Sequence, residues 1–88
     1  MKDYQFEVCA NSVESCIAAQ AGGADRVELC AGIPEGGTTP SYGDILIARE
    51  ALQQTKLHII VRSRGGDFLY SSTEQRIMLK DIENARRL

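Results

Sequence analysis

Two thiols and two carboxylates recur at matching places in this chain. The pentapeptide Phe6-Glu7-Val8-Cys9-Ala10 returns twenty-one residues later as Val27-Glu28-Leu29-Cys30-Ala31. Each copy closes an apolar, β-branched stretch and reads as a buried strand. Side chains alternate across a strand, so Glu7 and Cys9 share one face while Phe6, Val8 and Ala10 take the other. The second copy groups Glu28 with Cys30 in the same way. Parallel neighbours lie about 4.8 Å apart, close enough for thiolates on adjacent strands to share one soft ion. Thiolate donors select Cu(I) or Zn(II) over Mg(II), and two ligands are too few for a closed tetrahedral zinc site. The plainer role is a small buried hydrophobe, and Cys16, on a helix stripe, reads that way.

A second group follows in Arg62-Ser63-Arg64-Gly65-Gly66-Asp67-Phe68. While the chain stays extended, Arg62 and Arg64 share the face of Ile60. With Glu7 and Glu28 they predict two guanidiniums and two carboxylates converging at one mouth. Arginine forks pair bidentately with carboxylates, which permits charge to be buried. Gly36-Gly37 and Gly65-Gly66 allow close backbone approach and present N–H groups to an anion. Two outcomes stand open: a polar network that satisfies itself, or an enzyme site for a small phosphorylated or carboxylated substrate. In the second, one carboxylate would act as general base while the arginines hold the anion. His58, the only histidine, lies near the start of its strand and reads as packed or solvent-facing. Phe68 and Tyr70 are placed to cover the mouth.

The elements that must position these residues alternate regularly. Residues 4–10, 26–31 and 57–62 read as strands. Asn11 and Glu14 offer a capping box for a first helix with the stripe Val13, Cys16, Ile17 and Gln20, ended by Gly22-Gly23. After a loop over residues 32–40, Ser41 caps a second helix whose stripe is Ile45, Ala48 and Leu52. A further loop, residues 63–70, precedes a third helix capped by Ser71 or Ser72, with Glu74 or Gln75 closing the box and Met78, Ile82 and Ala85 as its stripe. This β-α-β-α-β-α order implies parallel strands with right-handed crossovers. An open doubly wound sheet wants both strand faces apolar, whereas only one face is apolar here. A polar interior ringed by helices is the TIM-type (β/α)8 barrel arrangement, whose sites form at the strand C-termini. No GxGxxG follows the first strand, which argues against dinucleotide binding.

A complete barrel of this type takes about 250 residues; this chain has 88. Residues 1–88 therefore read as a single partial domain, the N-terminal three βα units of a barrel, completed by its remainder or by self-association. A net charge of −2 gives no basic field for nucleic acid, and no apolar run approaches the roughly 20 residues of a membrane span. The first ten residues do not read as a signal peptide. Three cysteines with no CxxC fit a reducing cytoplasm better than a disulfide framework.

The succession EVCA, GGADRVELCAG, EGGTTPS and Arg62-x-Arg-Gly-Gly-Asp-Phe-Leu-Tyr-Ser resembles the N-terminal part of the CutC family of copper homeostasis proteins, through almost the whole chain. The resemblance implies a cytoplasmic (β/α)8 barrel concerned with copper tolerance, and Cu(I) held by strand-end thiolates that fall on Cys9 and Cys30. It implies no secure reaction, so copper handling is expected rather than turnover. The family's polar mouth falls on Glu7, Glu28, Arg62, Arg64 and Asp67, and full-length relatives are expected to self-associate. The family usually has proline where Ser63 stands here, and its FHRAFD-type downstream segment is absent from this chain. A copper ion or a small anion is thus the expected partner, and neither nucleic acid nor membrane.

Overall fold

The computed structural model describes residues 4–88; the Lys2-Asp3 pair at the start of the segment weighed as a leader lies outside the described residues. Three parallel strands, β1 (Glu7–Ala10), β2 (Arg26–Leu29) and β3 (Lys56–Ile59), lie side by side in chain order. They are connected through α1 (Val13–Ala21) and α2 (Tyr42–Ala51), and α3 (Ser72–Arg86) follows β3. These are three successive βα units of a TIM-type barrel. The regular ladders are shorter than the apolar runs that announce them. Pairing nonetheless continues at the C-terminal ends, where Cys30 N–H donates to Ala10 O at 2.9 Å and Ile60 N–H to Leu29 O at 3.2 Å.

Capping starts each helix. Ser41 Oγ accepts from Asp44 N–H at 3.1 Å. Ser71 and Glu74 form a full reciprocal box at the head of α3, satisfying two otherwise orphaned N–H groups. At α1 the expectation needs correcting: Ser12, not Asn11, is the cap, and its Oγ accepts from Ser15 N–H at 3.1 Å. The helix begins one residue later than expected, which leaves Glu14 one position short of the box.

The split between strand faces is as the alternation requires. Val27, Leu29 and Ala10 pack with Cys16 of α1 and with Ala48 and Leu52 beside α2, joined by half-buried Val8, Val13, Ala19, Leu57 and Ile59. The α2 stripe of Ile45, Ala48 and Leu52 is fully buried. In α1 the inward face centres on Cys16 and Ala19, and Ile17 turns to solvent at 46% exposure. The third helix buries no residue completely. An apolar groove remains between it and β3, lined by Leu57, Ile59, Val61, Ile82 and Ala85.

Register departs from the sequence echo. Glu7 lies opposite Arg26, and Cys9 opposite Glu28, an offset of nineteen where the echo is twenty-one. A shift of two keeps every side chain on its face but moves the second copy about 6.6 Å further along the strand direction. Stagger of this kind accompanies strand tilt in a closing barrel.

At the N-terminal end of the strands a single side chain locks the turn into β3. Gln20 Oε1 accepts from the N–H groups of Gln53, Gln54 and Thr55 at 3.0, 3.0 and 3.1 Å. Thr55, itself buried, donates its hydroxyl to Ala24 O at 2.9 Å. Among the described residues no helix is long and apolar enough to cross a membrane. Gln20→Ala should lower stability by about 1–3 kcal/mol, the usual cost of stranding backbone donors, as read from urea unfolding. Gln20→Glu, which keeps an acceptor in place, should retain most of it; an unchanged midpoint for Gln20→Ala would contradict the lock.

Candidate functional site

The polar face of the sheet carries Glu7 and Cys9 from β1, Arg26 and Glu28 from β2, Cys30 just beyond it, and Lys56 and His58 from β3. Cys9 is exposed, and its Sγ approaches the Oε1 of its cross-strand partner Glu28 at 3.9 Å. Cys30 stands one pleat higher on the neighbouring strand and is only 5% exposed; its Sγ donates to Ala10 O at 3.6 Å. Burial pushes the Cys30 thiol up, and the nearby Cys9 thiol and Glu28 carboxylate push the same way. The two cysteines are therefore electrostatic neighbours, set diagonally rather than directly opposite. Cys16 is wholly buried on the helix-covered side, and its thiol is raised by burial first and by Cys30 second. Among the described residues no three His, Cys, Asp or Glu side chains are grouped to hold a metal.

The arginines do not meet the two glutamates. Glu7 sits at the start of β1 and forms an ion pair with Arg26 at 2.6 Å, away from the strand C-termini. Arg62 donates through Nη1 to Glu35 O and Gly37 O at 2.8 and 3.3 Å, and through Nη2 to Gly66 O at 2.7 Å. The Phe68 ring lies 4.9 Å from its guanidinium carbon, an arrangement that suits a cation over a π-face. Arg64 donates to Gly65 O, Asp67 O and Leu69 O at 2.9–3.0 Å. It pairs with the Glu74 carboxylate and, at 3.5 Å, with Asp67, while Tyr70 lies 5.0 Å beneath it. Both forks thus bind loop carbonyls, an arrangement that side-chain alternation cannot reveal. Phe68 is 76% exposed and Asp67 is exposed on the same loop. Ser63 Oγ is buried with no hydrogen-bond partner, in keeping with a position where an apolar proline would lose nothing.

The loop after β2 closes against these arginines. Ala31 and Thr38 pair antiparallel at its neck, with N–H···O distances of 2.9 and 2.7 Å. Thr39 brackets the Arg62 backbone, donating its N–H to Arg62 O at 2.9 Å and accepting from Arg62 N–H at 2.7 Å. A 3₁₀ turn, Ile33–Glu35, forms the tip. Gly65 passes so near it that a methyl group there would fall 2.7 Å from Glu35 Cβ.

The family model described as the CutC family matches residues 4–88. The chain belongs to the CutC family. A CutC family protein from Bacteroides thetaiotaomicron is 78% identical over 88 residues, which are all of this chain and 35% of that protein. A human relative named copper homeostasis protein cutC homolog is 48% identical over 83 residues, 94% of this chain and 30% of its own. The crystal structure of a CutC protein from Streptococcus agalactiae superposes with a TM-score of 0.87 at 36% identity, covering 96% of this chain and 41% of the other. The chain spans about a third of the length of the curated relatives it matches.

Sequence reasoning named Glu74 only as half of a capping box. Its carboxylate also receives Arg64, and that bond, then the Ser71 backbone N–H, holds its pKa below the ordinary glutamate value. A depressed folded-state pKa stabilises above the unfolded value and loses that contribution as pH falls through the folded one. Glu74→Gln should therefore be less stable than the parent chain at neutral pH. The gap should close as acid protonates the parent's carboxylate below the usual glutamate range of about 4.3. Urea unfolding across a pH series checks this; a gap independent of pH would contradict the pairing.

Proposed function

We propose that this chain serves copper homeostasis in a reducing, cytoplasmic setting by binding Cu(I) through Cys9 and Cys30. One observation carries the reading: two free thiols on neighbouring strands, on one polar face and one pleat apart. The name of the human relative, a copper homeostasis protein cutC homolog, supports copper as the ion. Cu(I) is soft and readily accepts a two-thiolate set, whereas zinc would call for further donors. In this arrangement Cys30 is the fixed donor, set by its bond to Ala10 O and by the loop above it. Cys9 is the accessible one, through which an incoming ion is met first. Both thiols lose a proton to solvent on metal binding, which links affinity to pH. Residues 1–88 would form a partial domain, with further βα units or other copies completing the barrel around the polar face.

A small anionic substrate at Arg62, Arg64 and Asp67 has less in its favour. Both guanidiniums already donate to loop carbonyls, and neither approaches Glu7 or Glu28, so the general-base arrangement lacks its pair.

Anaerobic titration of Cu(I) against a competing chromophoric chelator tests the proposal. One tight equivalent is expected for the parent chain and for Cys16→Ala, and none for Cys9→Ser/Cys30→Ser. Equal affinity in the double variant would exclude these thiols as the site.

A further inference from the structure

We propose that the loop over residues 32–37 is a latched cover on Cys30, and that Arg62 is the latch: a positioning residue that governs access to the thiol without touching an ion. Cys30 lies on the polar face, which is open elsewhere in this chain, as exposed Cys9 and His58 show. Its burial therefore has a local cause. Gly37 is buried over it: a methyl group added there would lie 3.8 Å from Cys30 Sγ and 3.3 Å from Ile60 Cδ1. The backbone at Gly37 has φ +98°, a conformation that any other residue adopts only under strain. Glycine at this position thus brings the main chain down onto the sulfur.

Arg62 ties the tip of the cover to its surroundings, while within the cover Gly37 N–H also donates to Gly32 O at 3.0 Å. Arg62 Nη1 donates to the carbonyls of Glu35 and Gly37, on either side of the loop tip, and Nη2 reaches across to Gly66 on the neighbouring loop. The neck of the cover is independently fixed by the Ala31–Thr38 bridge and by Thr39. Loss of the Arg62 side chain would therefore release the tip while leaving the neck and the strand pairing in place. Lysine could not replace it, because an ammonium offers no planar fork to span carbonyls on two loops. The cover makes the two cysteines unequal, with Cys9 open at rest and Cys30 reached only when the tip lifts. An ion met by Cys9 would then gain Cys30 as its second donor only when the latch opens.

This regulatory role rests on the Cys9/Cys30 copper reading, but the cover itself can be tested without metal. Alkylation of each cysteine by iodoacetamide, followed by peptide mass spectrometry, has two internal standards in the same molecule: open Cys9 and core-buried Cys16. In Arg62→Ala and Arg62→Lys the Cys30 rate should rise at least about tenfold, as loss of a charge-assisted hydrogen bond allows, while the Cys16 rate stays at its parent value. An unchanged Cys30 rate in both variants would overturn the latch. So would Cys30 and Cys16 rates rising together in both, since Arg62 would then support the whole sheet. A Cu(I) titration of the same proteins separates the two ideas. Faster Cys30 alkylation with no thiol-dependent copper binding would leave the cover standing and refute the copper reading.

Discussion

Register between β1 and β2 governs everything built on the polar face. Because both strands alternate in step, a pairing offset of nineteen or of twenty-one would put the same residues on the same face. Only the first sets Cys9 against Glu28 and lifts Cys30 to the rim. That lift carries the second thiol out of the plain ladder and beneath the following loop. It also leaves Glu7 level with Arg26 at the opposite end, where the pair neutralises charge far from the strand C-termini. One pleat of stagger thus separates a structural ion pair at the bottom of the sheet from a thiol pair toward its top.

The loops above the sheet are shaped by a different constraint. Glycine-rich segments turn their carbonyls wherever the turn dictates, and those carbonyls bond donors within reach. Arg62 and Arg64 supply them, each bridging several backbone acceptors with the five donors of a guanidinium, and each stacked near an aromatic ring. Little of the Arg64 guanidinium then remains for a diffusible anion, while Arg62 keeps a buried Nε–H without a partner. Glu74 ties the outer arginine to the capped start of α3, so the loop after β3 and the helix beyond it are held by one carboxylate.

Much of this was legible in the sequence because it follows from period. The two-residue alternation of Val27, Leu29 and Ile59, Val61 placed the apolar face, and the helical spacing of Ile45, Ala48 and Leu52 placed α2. Ser41 and Ser71 announced their helices through side-chain chemistry that few other residues share. Register was not legible: the repeated Glu-x-x-Ala-type echo suggested that like residues stand side by side, and nothing in the strands themselves distinguishes offsets that differ by two. The partners of Arg62 and Arg64 were hidden for another reason. Backbone carbonyls have no sequence signature, so a fork aimed at Glu35 O and Gly37 O looks in sequence like a fork awaiting a carboxylate. Gln20 shows the same limit, since its three partners are main-chain N–H groups thirty-odd residues away.

The central claim concerns which atoms would hold an ion at the rim of the sheet. Copper K-edge X-ray absorption on the chain loaded anaerobically with one equivalent of Cu(I) tests that claim most directly, because the first shell reports donor identity without any substitution. The account predicts a shell of sulfur alone, of low coordination number, from Cys9 and Cys30. A shell dominated by nitrogen or oxygen would instead point to His58 or the carboxylates and would contradict the assignment.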